Sequence, residues 1–211
     1  MSTNALYALH SRECSRSINL FRSRFLMQIK LILLDFDGTL AATADAHTKA
    51  YILALQESGI VISEEEYKSK FFGVRCSEFL RAIGVTSNEM MERIRLRKIE
   101  LYPTFFDSVR LNEPLWNFAQ DFRSKGGKVW ICSTGQRDNI TNAMQYLGID
   151  GMVDGILTSD DVTESKPSPE AFLKAMSIEG VTPAETLIFE DSQVGLAAAE
   201  ASGAAYFKIE L

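Results

Sequence analysis

The chain has 211 residues, of which 46% are hydrophobic and 24% charged, proportions that fit one globular domain or one domain carrying a smaller insertion. A net charge of −6 excludes nucleic-acid binding through a generally basic surface, so an anionic ligand needs a local positive site or a metal. Cys14, Cys76 and Cys132 stand far apart, without the paired spacing of a zinc site or a disulfide framework, and no apolar stretch approaches a membrane span. These features point to a reducing, cytoplasmic setting, no nucleic-acid or membrane partner, and a monomer or weak dimer.

In chain order, residues 1–27 form a basic N-terminal extension with Arg12, Arg16, Arg22 and Arg24, several serines, and Glu13 as its one acid. It reads as a disordered tail, a misassigned start upstream of Met27, or an organelle-targeting segment. Ile29–Leu34 is an apolar run of the kind buried on both faces of a parallel sheet. Residues 43–106 contain no convincing strand. They carry amphipathic helical stretches near 45–58, 63–70, 76–83 and 87–101, and Ser63…Glu66 and Thr86…Glu89 have capping-box spacing. Glu64-Glu65-Glu66 then complements a helix dipole and is not a metal site.

Beyond residue 107 strands and helices alternate. Strands are expected at Lys128–Cys132, Gly155–Thr158, Thr186–Phe189 and Ala204–Ile209, with helices near 112–125, 137–147, 169–178 and 193–202. Ser168 is the expected cap of the third of these helices, with Pro169 at its first position, and Thr182-Pro183-Ala184-Glu185 announces a short helical turn. The expected fold is α/β: a doubly wound, Rossmann-like parallel sheet from residues 28–42 and 107–211, with residues 43–106 inserted as an all-helical cap.

Chemistry-bearing residues cluster where strands end. Asp35-Phe36-Asp37-Gly38-Thr39-Leu40 follows the first strand, with two carboxylates two residues apart and a glycine for the tight exit. Glu190-Asp191-Ser192 follows the run Leu187-Ile188-Phe189, and carboxylates leaving two strands of one sheet can converge on a hard cation such as Mg²⁺. Ser133, Thr134 and Gly135 follow the Lys128–Cys132 strand, where hydroxyl and N–H groups can cradle phosphate. Lys166 sits in a loop stiffened by Pro167 and Pro169. Taken singly, the acidic pair, the serine and the lysine each fit an ordinary cap or solvated loop. Together they supply a nucleophile, a neighbouring acid, a hydroxyl donor, a lysine and metal ligands, the parts that phosphoryl transfer requires.

At these residues the sequence resembles the haloacid dehalogenase-like hydrolase superfamily, in the branch with a helical cap after the first motif that includes phosphoglycolate phosphatase and beta-phosphoglucomutase-like proteins. DFDGTL looks like the first motif, Ser133 the second, Lys166 the third and Glu190-Asp191 the fourth, so the likeness covers about residues 28–211. It implies that Asp35 attacks phosphorus to give an aspartyl-phosphate, and that Asp37 protonates the leaving oxygen and then activates water. It also implies Mg²⁺ held by Asp35, the Asp37 carbonyl and Asp191, with Glu190 as ligand or support, and Ser133, Thr134 and Lys166 on the phosphoryl oxygens. The aspartate at position 37 favours a phosphoester over a halide, whose departure needs no proton.

From the cap, His47, Lys49, Arg75 and Arg81 are candidate substrate contacts, His47 foremost, and Gly73-Val74-Arg75 looks like the family's specificity loop. Thr43-Ala44 departs from the acidic residue followed by Ser or Thr that is common in relatives, which puts the usual contacts there in question. Three functions follow: a phosphatase of a small phosphorylated metabolite (phosphoglycolate- or sugar-phosphate-like), a sugar-phosphate mutase with the same first step, or a catalytically idle binding module. The intact Asp35, Asp37, Lys166 and Asp191 weigh against the last.

Overall fold

The computed structural model describes residues 29–211; the basic extension, and the targeting or disorder expected of it, lies outside the described residues. β1 (Leu31–Leu34) is buried along its whole length, as the central strand of a sheet covered on both faces must be. It pairs in parallel with β4 (Lys128–Cys132) on one side and β6 (Thr186–Glu190) on the other. β5 (Gly155–Leu157) and β7 (Ala205–Lys208) form the edges, giving the order β5-β4-β1-β6-β7. The chain winds outward from β1 through β4 to β5, then returns to the far side for β6 and β7. The winding therefore reverses between β1 and β6, the switch point where open sheets bind ligands.

The two-residue period of β1 sorts the core. Ile32 and Leu34 pack with Val129 and Ile131 against Ala119 of α5 (Glu113–Ser124) and Ile140 and Met144 of α6 (Arg137–Leu147). Leu31 and Leu33 pack with Trp130 and Cys132 against Phe172 of α7 (Glu170–Glu179) and Ala198 of α8 (Gln193–Ser202). Helices on both faces make the sheet doubly wound. Cys132 is fully buried, and burial pushes its thiol up to about 12, which leaves it a packing residue.

Between β1 and α5 the chain forms α1 (Ala44–Glu57), α2 (Glu64–Lys70), α3 (Cys76–Ala82), α4 (Asn88–Leu101) and a 3₁₀ segment, Tyr102–Ser108. Their interior is aromatic: the Tyr51 ring lies 5.3 Å from Tyr67 and 5.1 Å from Phe79. Ser63 caps α2 as its spacing predicts, accepting from the Glu66 N–H at 3.0 Å.

Two local expectations change, and one element is added. Ser87, one residue after Thr86, caps α4 by accepting from the Met90 N–H at 3.3 Å, because Ser87 has the extended backbone that a cap requires. α7 starts one residue late, with Pro169 at the cap position and Ser168 accepting from the Glu170 N–H at only 3.4 Å. A two-residue antiparallel ladder, β2 (Ala41–Ala42) with β3 (Arg110–Leu111), ties together the two connections of the helical insertion. The Asn112 side chain reinforces it by donating to the Thr39 carbonyl at 3.0 Å. Two-residue strands carry no readable periodicity.

Candidate active site

Asp35 leaves the carboxyl end of β1, its N–H still in the ladder with the Phe189 carbonyl at 3.0 Å. Lys166 donates to Asp35 Oδ1 at 2.6 Å and also to Glu190 Oε1, with 3% of its side chain exposed. Burial raises the Asp35 carboxyl well above the ordinary range and Glu190 and Asp191 add to that, while Lys166 draws it back. The lysine, held charged by its two carboxylates, titrates above its usual range.

Both oxygens of Glu190 are engaged. Oε1 takes Lys166, and Oε2 accepts the Ser192 N–H at 2.9 Å and its hydroxyl at 3.1 Å. The carboxylate reaches this position because residue 195 is glycine: a Cβ there would lie 1.8 Å from Glu190 Oε1. Gly195→Ala is therefore expected to destabilise the fold by about 1–3 kcal/mol through overpacking and displacement of Glu190. A urea midpoint unchanged from wild type would show that Glu190 is free to move aside.

Asp191 completes a group of three carboxylates, with Asp35 and Glu190, whose oxygens lie within 4.8 Å of one another. Thr39 donates to Asp191 Oδ1 at 3.0 Å. Gly38 has φ +91°, and a Cβ on it would fall 2.2 Å from Asp191 Oδ2, so both the turn and the acid beside it require glycine. Burial and then Glu190 raise the Asp191 carboxyl. Three clustered carboxylates against one lysine leave excess negative charge, and an all-oxygen donor set of that kind fits a hard divalent cation such as Mg²⁺.

The Asp37 carboxylate points elsewhere. Its Oδ1 accepts the Thr43 hydroxyl at 2.6 Å and lies 2.9 Å from His47 Nε2. Burial pushes Asp37 up, but His47 and the Thr43 hydrogen bond outweigh it and hold the group below the usual carboxylate range. At the unusual Thr43-Ala44 pair, the Thr43 hydroxyl is therefore spent on Asp37 itself. His47, expected to touch substrate, spends its Nε2 on Asp37 and lies tilted against Tyr102 with ring centroids 4.3 Å apart. A hydroxyl six residues and an imidazole ten residues after Asp37 were the available signal for this arrangement.

Ser133 is buried at the end of β4, its hydroxyl accepting the Gly135 N–H at 2.9 Å. A Cβ at Gly135 would lie 3.2 Å from Ser133 Oγ and 3.3 Å from Asp37 Oδ2, so the two side chains face one space kept open by glycine. Thr134 instead donates to the Gly73 carbonyl of the helical insertion at 3.2 Å, and Arg75 donates to the Ser159 carbonyl at 3.3 Å. These bonds latch the cap onto the core. Beneath the latch a cavity of about 20 Å³, room for a water or a bare ion, touches Asp35, Lys166, Glu190 and Asp191. A second cavity, about 380 Å³, opens beside it and shares Asp37, Phe72 and Thr134. His47, Arg75 and Arg81 line the larger space, whereas Lys49 is exposed on α1 and does not reach it.

Known proteins resemble the chain over most of its length. Protein CbbY of Rhodobacter capsulatus is 28% identical over 189 residues, covering 84% of this chain and 83% of its own. Pyrophosphatase PpaX of Bacillus mycoides is 24% identical over 186 residues, covering 84% and 81%. The crystal structure of a CbbY mutant from Rhodobacter sphaeroides in complex with xylulose-(1,5)bisphosphate superposes with a TM-score of 0.75 at 25% identity, over 84% of each chain. The family model for haloacid dehalogenase-like hydrolases matches residues 32–209, from β1 through the acidic pair at the end of β6 to the last strand. With that span matched and a doubly wound sheet carrying a helical insertion, the chain belongs to the haloacid dehalogenase-like hydrolases.

Proposed function

We propose that this hydrolase is a Mg²⁺-dependent phosphatase of a small phosphorylated metabolite, with Asp35 as nucleophile and Asp37 as acid and base. The observation that carries the reading is the pairing of two aspartates with different surroundings. Asp35 is gripped by Lys166 beside Glu190 and Asp191, and Asp37 is turned away toward Thr43 and His47.

The division of labour follows from the contacts. Lys166 fixes the Asp35 carboxyl group and opposes the burial and neighbouring acids that raise it; a bound cation would add to that opposition and favour the ionised oxygen that attacks phosphorus. Ser133 and Lys166 hold the transferring oxygens. Asp37, held ionised in the free protein by its bonds to Thr43 and His47, takes up a proton when the anionic phosphoester binds beside it, delivers that proton to the departing oxygen and then takes one from the water that cleaves the aspartyl-phosphate. Asp35, Asp191 and the Asp37 carbonyl would hold Mg²⁺, and Glu190, with both oxygens occupied, supports Lys166 and the start of α8. When bound, the cation supplies neutralisation of the charge gathered on the phosphoryl group.

Water is the favoured acceptor over a second sugar hydroxyl. Arg137, which follows the phosphate-binding turn, turns to Asp161 at 2.6 Å and to the Ile156 carbonyl at 3.2 Å and does not line the larger cavity, where it would meet a returning sugar phosphate. The test is a panel of phosphometabolites assayed with and without chelator. Inorganic phosphate is expected, lost on chelation and restored by Mg²⁺, and Asp191→Ala should raise the half-saturating Mg²⁺ by about tenfold or more. Activity indifferent to chelator would refute the metal assignment. Conversion of β-glucose 1-phosphate to glucose 6-phosphate with little free phosphate would make the enzyme a mutase.

A further inference from the structure

The two faces of β6 and β7 are covered unequally. Toward α7 and α8, Ile188 of β6 is fully buried and packs in one cluster with Ala198 of α8 and with Ala204. On the α5 side the cover is missing. Phe189 and Phe207 are register partners in the two strands, their rings stacked with centroids 5.8 Å apart. Phe118 of α5 meets Phe189 edge-on at 5.8 Å, so the three rings form one aromatic strip. Phe207 is 58% exposed and Phe118 47%, and β7 is exposed along its whole length. Parallel sheets are covered on both faces, and a strip of aromatic rings left in water marks a surface that packs against something. Among the described residues nothing lies over Phe207 on this side.

We propose that this strip is the docking site of the chain's own basic N-terminal extension, with Ile18, Phe21 and Phe25 laid across Phe118 and Phe207. In the sequence Cys14, Ile18, Phe21 and Phe25 stand four, three and four residues apart, the spacing of one helix face, and Arg16, Arg22 and Arg24 fall off that stripe. The extension also joins the described residues at a suitable place. Lys30 enters the sheet at the amino end of β1, its N–H donating to the Glu185 carbonyl just before β6 at 2.7 Å. β7 lies two strands from β1, about 10 Å away at the usual spacing. The four residues between Phe25 and Lys30 can span about 13 Å, so Phe25 can reach the open strip. A helix over residues 14–27 would be about 20 Å long, enough to run the length of β6 and β7. Charge selects the same occupant over a second copy. The extension has four arginines and one acid in a chain of net charge −6, so residues 29–211 are strongly acidic and two copies would repel. The inference does not depend on the phosphatase reading.

Crosslinking in the full chain tests the placement. Cys14→Ser and Cys76→Ser leave Cys132 as the remaining native thiol, and it is buried. Phe21→Cys is then combined with Phe207→Cys or with Tyr206→Cys. These two strand positions are neighbours, both exposed, and point to opposite faces of β7. After treatment with a short bismaleimide, monomer is separated from dimer and digested. The link between positions 21 and 207 is expected at about ten times the yield of that between 21 and 206, because docking raises the local concentration at one face alone. With the native cysteines in place, Phe25→Asp should speed amide exchange in β7 by about tenfold or more. Equal yields at the two positions, as an undocked tether gives, would overturn the proposal. So would links formed only between chains, which would assign the strip to a second copy, or no link at all, or exchange in β7 unmoved by Phe25→Asp. Should the Phe207→Cys chain not fold, Phe118→Cys takes its place against the same control.

Discussion

Asp35→Asn is expected to fold normally and to lower kcat by about a thousandfold or more, because an amide oxygen without the carboxylate charge cannot form the acyl phosphate. The substitution keeps the shape of the side chain and leaves Lys166 its second partner, Glu190. It also removes one of three carboxylates crowded within 4.8 Å, so no loss of stability is expected. Phosphate-release kinetics together with a thermal melt separate the two effects. In wild type, acid quenching during turnover should trap a phosphoryl adduct on the peptide containing Asp35, and the variant should show none. Retention of a tenth of wild-type kcat, with mass spectrometry showing no deamidation back to aspartate, would overturn Asp35 as the nucleophile.

Sequence alone exposed the parts of this molecule that are set by local rules. β1 and β4 read as strands because burial on both faces demands unbroken apolar runs, and α2 announces itself through Ser63 and the acids of its first turn. The ends of β1, β4 and β6 pointed to the residues now found around one edge of the sheet, since a parallel sheet brings all its carboxyl ends together.

What stayed hidden depends on which way a side chain turns. Glu190 and Asp191 are adjacent acids in the sequence, yet one folds back onto Lys166 and Ser192 while the other meets Thr39, a choice made by the missing Cβ of Gly195 and Gly38. His47 was singled out as a substrate contact, and its partner Asp37 becomes visible only once α1 packs over the β1 turn. Thr86 and Ser87 offer the same chemistry for capping α4, and backbone conformation chose between them.

The largest effect on stability is expected at Lys166. Its ammonium sits between Asp35 and Glu190 with 3% of the side chain exposed, and those two carboxylates are themselves almost wholly buried. Lys166→Met retains the length and apolar stem but strands two buried negative charges, a class of change that costs about 3–5 kcal/mol. Activity should fall as well, because the same ammonium orients Asp35 and receives phosphoryl oxygen; a loss of about a hundredfold or more in kcat is expected.

The pH dependence gives a check that a simple packing defect would not reproduce. With the lysine gone, burial and the neighbouring acids raise the folded-state Asp35 carboxyl unopposed, above its unfolded value. The folded state then binds more protons than the unfolded state across that interval, so the variant loses stability as pH rises through it and regains stability as pH falls. Adding Glu190→Gln to Lys166→Met removes one stranded charge and should recover part of the stability, a non-additivity expected of groups in direct contact. Denaturant melts of the single and double variants across the carboxylate range would measure both effects. A penalty that is independent of pH and unrelieved by Glu190→Gln would mean that Lys166 contributes packing alone, and its place in the phosphoryl site would have to be abandoned.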